Sequence, residues 1–248
     1  MVLRFALPLI GFAIALAAWA FGAAALAART PVAAAFAPGP SLAALWHLVT
    51  GPDFAYHVLP SLRRVAVGLG LAVAIGVPLG VLSGLSRRFA QGSGPLFQFL
   101  RMVSPLSWMP IAVMVLGVGD APVYFLLAFA AVWPVLLSTA AGVAQIDRHW
   151  LLLARSLSAT RAETVLRVVL PGITAHILTG VRLAIGIIWI VLVPAEMLGV
   201  QAGLGYYVLD TRDRLAYSEL MGAIVLIGAL GFALDHIARW LHGRWLHR

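Results

Sequence analysis

The chain of 248 residues contains no cysteine and no lysine, and its acidic residues number only nine. Without cysteine, neither a disulfide framework nor a thiolate metal site is available. The histidines are scattered without a pair at ligand spacing, so we assign no metal site. A phosphate-binding Gly-x-x-x-x-Gly-Lys-Ser/Thr loop is excluded because it needs a lysine. The sequence shows neither a carboxylate pair nor a nucleophile with a nearby base, so nothing in it suggests catalysis. We therefore expect a non-enzyme that binds no cofactor of its own.

Apolar residues dominate what is present. Hydrophobic residues make up 62% of the chain and charged residues 10%, and the mean hydropathy is +0.99. Several apolar runs exceed the roughly 18–20 residues that a helix needs to cross a membrane. The sequence therefore predicts an all-α, polytopic transmembrane helical bundle of about six spans. We attribute the net charge of +8 to loop arginines that contact membrane lipid, and expect no nucleic acid partner.

Apolar runs and breakers divide the chain into four parts. Residues 1–29 form a first transmembrane span, for which a cleaved signal peptide is the alternative. Residues 30–64 form an external segment with a short helix at 41–49, 65–241 form the membrane core, and 242–248 form a basic cytoplasmic tail. Within the core we predict spans at 65–85, 96–118, 123–143, 173–198 and 220–241. Arg87-Arg88 and residues 91–94 are predicted to mark a short cytoplasmic turn, and Pro105 and Pro110 to kink the span at 96–118. Gly76 and Gly80 indicate close helix packing.

The distribution of arginine sets the expected orientation. With six spans and both termini in the cytoplasm, ten loop and tail arginines lie inside and five lie outside. The inner set is Arg4, Arg87, Arg88, Arg148, Arg155, Arg161, Arg167, Arg239, Arg244 and Arg248. Arg101 and Arg182, near the inner ends of two spans, are expected to snorkel towards the cytoplasm. This bias predicts a multi-pass protein whose loop at 147–171 is cytoplasmic.

The loop from Asp147 to Pro171 is the most informative stretch. Asp147 is a candidate N-cap for a helix with one apolar stripe, formed by Trp150, Leu153, Ala154 and Leu157. Thr160 and Glu163 have the spacing of a capping box, so a second helix should begin after a bend near 158–159. Pro171 suits the start of the following element. From these residues alone, an amphipathic anchor on the bilayer is the competing interpretation.

The same stretch resembles the cytoplasmic motif of the permease subunits of ATP-binding-cassette (ABC) importers. That motif reads Glu-Ala-Ala, three residues, Gly, nine residues, Ile, one residue, Leu-Pro. Here the positions fall on Leu152-Leu153-Ala154, Ser158, Val168 and Leu170-Pro171, so the register fits. The family's Glu, first Ala, Gly and Ile are replaced by Leu152, Leu153, Ser158 and Val168. The missing Gly should leave the bend intact, because the capping box also interrupts the helix there.

The stretch from Leu100 to Pro110 resembles the Arg-x-x-Pro-Pro…Trp-x-Pro segment of the same family, with Ser104 in place of the first Pro. Further stretches resemble one branch of these importers, namely Gly180 to Ala184, Trp189, Ala195-Glu196 and Gly203 to Gly205. That branch takes up nitrate, bicarbonate, taurine and aliphatic sulfonates. The resemblance implies a type I importer permease of the bacterial inner membrane, working with a second permease copy. It also implies a cytoplasmic ABC ATPase, which binds ATP and Mg²⁺, and an external substrate-binding protein.

Two sets of residues are candidate sites, and the resemblance assigns the first of them. The ATPase-coupling set comprises Trp150, Leu152, Leu153, Ala154, Arg155, Leu157, Ser158, Ala159, Leu170 and Pro171. The candidates for the translocation pathway are Ser104, Trp108, Trp189 and Glu196. Packing is the alternative role for Trp189, and pairing with an outer arginine is the alternative for Glu196. Two other functions remain open from the sequence, a stand-alone secondary transporter and a membrane anchor or assembly protein. A secondary transporter would need ion-coupling acidic residues in the middle of the membrane and internal repeats, and neither is apparent in the sequence.

Overall fold

The protein is helical throughout the part of the chain that the computed structural model describes, residues 2–246. The helices are α1 (Val2–Ala27), α2 (Pro38–Thr50), α3 (Asp53–Leu85), α4 (Arg87–Met102), α5 (Met109–Leu116), α6 (Asp120–Ala144), α7 (Arg148–Ser156), α8 (Arg161–Thr164), α9 (Leu170–Gly199), α10 (Leu204–Asp213) and α11 (Tyr217–Leu246). Short 3-10 turns cover Pro31–Phe36 and Pro105–Trp108, and a π-helical turn, Val165–Val169, joins α8 to α9. No strand occurs within residues 2–246, so the all-α prediction is confirmed.

Five helical segments are long and apolar enough to cross a membrane. They lie in α1, α3, α6, the continuous segment from α8 to α9, and α11. A sixth crossing results if α4 and α5 form one span, which is bent by 88° at the break between them. The prediction of about six spans agrees with this arrangement.

The break between α4 and α5 confirms the predicted kink and locates it. Val103 and Ser104 have extended backbones, with ψ of 125° and 127°, directly before Pro105. A residue before proline disfavours the helical region, so the chain leaves the helix there. Pro110 lies in the first turn of α5, where the missing N–H has no helical partner to lose.

One predicted turn is wrong, and one helix extends beyond its predicted span. The expected turn at 91–94 lies inside α4, which begins directly after Ser86, whose hydroxyl accepts a hydrogen bond from the N–H of Phe89. The cap at Ser86 therefore places the helix start ahead of the Gly-Ser-Gly stretch. Helix α3 begins at Asp53 rather than at residue 65 and carries Pro60 inside it. Proline is tolerated within membrane helices whose neighbours satisfy the freed backbone groups, so Pro60 does not mark the boundary.

Helices α3, α6 and α9 form the centre of the bundle. Their buried side chains include Val65, Leu127, Val135 and Ile188. A Cβ atom on Gly80 would lie only 2.6 Å from both the carbonyl oxygen of Leu136 and the Cβ of Thr139. The glycine stripe of α3 therefore brings its backbone against α6, as small residues do in membrane helix pairs.

The remaining helices surround this centre. The indole Nε1 of Trp19 in α1 donates a hydrogen bond to the carbonyl of Phe36 at 2.8 Å. Helix α2 includes the residues of the short helix predicted at 41–49, and it packs against α11. Helix α11 continues to Leu246, through most of the predicted basic tail, and residues 247–248 lie outside the described part.

Candidate coupling surface and pathway residues

The two predicted caps of the loop at 147–171 are both present. The carboxylate of Asp147 accepts a hydrogen bond from the N–H of His149 at 2.9 Å, so it caps α7. This N–H, together with the His149 ring, holds the pKa of Asp147 below its usual value. At α8, the Glu163 N–H donates to the Thr160 hydroxyl, and the Thr160 N–H donates to the Glu163 carboxylate at 2.9 Å. Local side-chain chemistry therefore fixes where both short helices begin.

The bend between α7 and α8 is a Schellman motif with serine at its left-handed position. Ser158 has a φ of 55°, a conformation that usually selects glycine. The N–H of Ala159 donates to the carbonyl of Ala154 at 3.0 Å, and the N–H of Ser158 donates to the carbonyl of Arg155 at 2.9 Å. The bend predicted at 158–159 is therefore formed, although the glycine of the importer motif is absent.

Helix α7 has an inner and an outer apolar face. Ala154 is buried, and Leu151 packs against a cluster that contains Val169 and Ile173. The predicted stripe is therefore wrong for Ala154, because Leu151 and Ala154, three residues apart, form the side that faces the bundle. The outer face leaves large apolar side chains exposed, namely Trp150 at 60%, Leu152 at 57%, Leu153 at 50% and Leu157 at 73%.

The other predicted coupling residues lie close to α7 or behind it. Arg155 and Ser158 are exposed, and Ala159 is half-buried. Leu170 packs on the same cluster as Leu151, while Pro171 is exposed in the first turn of α9. Most of the predicted coupling residues thus lie at one end of the bundle. Several of them are on α7, whose Leu151 packs against the bundle.

The four pathway candidates have different surroundings, although Trp108 and Trp189 pack against the same buried cluster. Ser104 is exposed at the break after α4, and the half-buried Trp108 packs against Phe125 and Phe129. The Trp189 indole donates to the carbonyl of Ile227 at 3.1 Å, so it joins α9 to α11. Arg182, expected to snorkel, lies 3.7 Å from Asp235.

Glu196 belongs to a buried polar cluster at the opposite end of the bundle from α7. Its carboxylate is 2.6 Å from the Arg64 guanidinium, and it accepts hydrogen bonds from the Ser61 hydroxyl at 2.8 Å and the Gly205 N–H at 2.8 Å. Arg64 also donates to Asp120 at 2.6 Å. Of the two roles left open for Glu196, the pairing with an arginine is the one observed.

The backbone at Gly203 is fitted to this cluster. Its φ is +129°, and a Cβ there would lie 2.5 Å from Arg64 Nη1 and 2.6 Å from Glu196 Oε2. Any larger residue would displace the ion pair and strain the backbone. The sequence signalled Glu196 and the Gly-Leu-Gly stretch, but it gave no sign that Ser61 and Asp120 join them.

The chain matches a known family along most of its length. Residues 76–247 match the family described as the binding-protein-dependent transport system inner membrane component. The chain is 38% identical over 195 residues to the bicarbonate transport system permease protein CmpB of Synechococcus elongatus, covering 78% of this chain and 69% of the relative. It is 32% identical over 195 residues to the nitrate import permease protein NrtB of that organism, covering 77% and 70%.

A third relative and a solved structure extend the comparison. The chain is 34% identical over 188 residues to the taurine transport system permease protein TauC of Escherichia coli, covering 76% of this chain and 68% of the relative. Its fold is similar to a chain of the inward-facing MetNI methionine ABC transporter, with a TM-score of 0.55 and 18% identity, covering 78% of this chain and 95% of that one.

Proposed function

We propose that this chain, a permease subunit of an ABC importer, carries a small anion into the cytoplasm. It belongs to the family of binding-protein-dependent transport system inner membrane components. The similarity to permeases named for bicarbonate, nitrate and taurine carries this proposal. It does not favour a stand-alone secondary transporter or a membrane anchor.

The outer face of α7 is the proposed docking surface for a cytoplasmic ABC ATPase. Four large apolar side chains are exposed on a helix that is held from below by Leu151 and Ala154. A fixed, amphipathic helix with such a face suits insertion into a partner's groove. The ATPase would bind the ATP and Mg²⁺, since this chain has no lysine for a phosphate-binding loop.

Two further partners complete the proposed assembly. We expect a second copy of this permease to pair with the first, so that the solute passes between membrane helices. An external substrate-binding protein would deliver the solute to the outer end, near Glu196. Closure of the ATPase pair on ATP would then move α7 and switch the permeases between inward- and outward-facing states. Coupling of this kind needs differential contacts in the two states.

The proposed orientation places α7 in the cytoplasm and both termini inside, in line with the arginine bias. Because the chain has no cysteine, Ser156→Cys and Ser158→Cys each introduce a single thiol. Both should react in intact cells only with thiol reagents that cross the membrane. Labelling of both by an impermeant reagent from outside would contradict this orientation.

Uptake measurements test the solute class. Cells lacking the gene should lose accumulation of one of nitrate, bicarbonate, taurine or an alkanesulfonate, and the intact gene should restore it. Unchanged uptake of all four, together with loss of a neutral or cationic solute, would refute the anion assignment. The external binding protein is measured in parallel, because its own selectivity identifies which solute reaches the permease.

A further inference from the structure

A cavity of about 490 Å³ lies between α3, α4 and α6, at the end of the bundle that carries α7. Two arginines line it: Arg87, which begins α4, and Arg101, in the last turn of the same helix. Within residues 2–246, neither guanidinium forms an ion pair with a carboxylate, in contrast to Arg64, Arg182 and Arg239. The cavity therefore holds positive charge that the described chain leaves uncompensated.

Two neutral hydrogen-bonding groups in this cavity also lack partners. The Ser83 hydroxyl and the Trp133 Nε1 are buried, and neither forms a hydrogen bond with any described residue. Both residues line the cavity, and Trp133 is only 9% exposed. Buried polar groups are normally satisfied, so unpaired ones beside a cavity indicate a ligand that would complete them.

The cavity continues in both directions along α6. A smaller one of about 270 Å³ shares Arg101 and Trp133 with it and reaches Pro105 at the break after α4. Another, of about 560 Å³, shares Gly84 with it and reaches Arg148 and Arg155 of α7. The described linings of all three include four arginines and no carboxylate. Charge of one sign between apolar walls concentrates ions of the opposite sign.

We propose that this cavity binds a small oxyanion, with Arg101 as its charged partner and Trp133 Nε1 as a neutral donor, since both residues line this cavity and the smaller one beside it. Arg87 precedes Arg101 on the same helix by about 21 Å along the axis, so it adds positive charge at the other end of the cavity, near Ser83, without touching the same ion. A nitrate, bicarbonate or sulfonate group presents several acceptor oxygens, and a guanidinium binds such a group through two parallel N–H donors. The assignment rests on the proposed function, since it makes the transported solute the occupant. It also places that solute one cavity away from the docking helix.

A cysteine in the cavity wall reports the site directly. Gln98 lines the cavity and is exposed, so Gln98→Cys adds a single accessible thiol. The full-length protein is reconstituted in phosphatidylcholine nanodiscs and treated with an anionic sulfonate-bearing or a cationic trimethylammonium-bearing methanethiosulfonate reagent. Normalised to the rates of both reagents with a free small thiol, the anionic reagent should react about fivefold faster than the cationic one, because the Arg101 guanidinium, one helical turn from Gln98, attracts it.

Added variants assign the effect to particular groups. Arg101→Gln should bring the rate ratio down towards that of the free thiol. Arg88→Gln, which removes a neighbouring arginine outside the cavity lining, should leave the ratio unchanged. Sodium nitrate at constant ionic strength should slow modification of Gln98→Cys, and Trp133→Phe should weaken that protection several-fold by removing the indole donor. Equal rates for the two reagents, or no protection by nitrate, bicarbonate or taurine, would overturn the proposal.

Two further measurements distinguish a solute from a lipid phosphate as the bound anion, and distinguish failure of this site from failure of the proposed function. Protection in phosphatidylglycerol nanodiscs without added salt anion would support the oxyanion chemistry but assign it to a lipid phosphate. Retained charge preference together with failure of anion uptake would refute the proposed function and leave the site standing. Normal anion uptake by a variant carrying both Arg87→Gln and Arg101→Gln, with the parent's reagent preference, would refute the site alone.

Discussion

The two ends of the helix bundle handle charge in opposite ways. At the outer end, Arg64 and Glu196 are buried, and each forms several hydrogen bonds within the chain. At the end that carries α7, Arg87, Arg101 and Arg155 are exposed or line cavities, and the described part of the chain offers them no carboxylate. The first end satisfies its buried charges within the chain, while these three arginines at the other end are available to another molecule.

The difference follows from what each end must do. A buried ion pair that is fully hydrogen-bonded restricts the arrangement of the elements it joins, here α3, α6, α9 and the turn before α10. Arginines without a carboxylate partner and exposed leucines are available to lipid, a partner or a ligand. We therefore interpret the cluster around Glu196 as one that holds these elements together, and the end that carries α7 as the proposed docking surface.

The largest expected effect comes from breaking the outer pair. Arg64→Met should destabilise the protein by about 3–5 kcal/mol, because Glu196 would remain buried without its countercharge. Thermal unfolding of the purified protein in detergent measures this loss. Arg63→Met is the matched control, since the Arg63 side chain is 62% exposed against 4% for Arg64. Its ion pair with Asp120 is at the surface and should contribute within about 1 kcal/mol. Equal effects of the two substitutions would show that burial does not distinguish the pairs.

At the cytoplasmic end, the strongest effect should come from the apolar face of α7. Burying one leucine side chain is worth about 1.5–3 kcal/mol, so Leu157→Asp should weaken ATPase binding by at least about tenfold. Leu153→Asp should act alike, while Leu157→Met retains the apolar volume and should bind normally. The measurement is co-purification of the ATPase together with ATP-dependent uptake in proteoliposomes. Full binding by both aspartate variants would exclude α7 as the docking surface.

Local features of this end were predictable from the sequence, and tertiary ones were not. The caps at Asp147 and Thr160 depend on neighbours within three residues, so the sequence contains the whole interaction. Ala154 is buried in the folded chain, where α7 contacts the π-helical turn Val165–Val169, so a stripe drawn on one helix could not show it. The same limit applies to the Arg64–Glu196 pair, whose members lie 132 residues apart. The error at 91–94 arose because glycine and serine marked a turn that the cap at Ser86 had already made.

A smaller effect should follow at the bend after α7. Ser158 occupies the left-handed region, which costs a non-glycine residue about 1 kcal/mol, so Ser158→Gly should stabilise the turn. Hydrogen exchange of the amides of Ser158 and Ala159, which close the Schellman motif, should slow by about fivefold. Ser158→Val is the opposing control, because a branched side chain fits this conformation worst. Faster exchange in the glycine variant would mean that the serine side chain supplies a stabilising contact.

The smallest effect should come from Arg155, and it decides how the docking surface is recognised. Arg155 is exposed on the same helix as Leu157, so in a complex its charge would lie at the rim and be screened by salt. Such an exposed pair contributes about 0–1 kcal/mol, and Arg155→Ala should therefore weaken ATPase binding by less than about fivefold, with the loss vanishing as the salt concentration rises. Co-purification and uptake at low and high salt measure this beside Leu157→Asp. If Arg155→Ala abolished binding while Leu157→Asp retained it, the partner would read the charge of this helix rather than its apolar face.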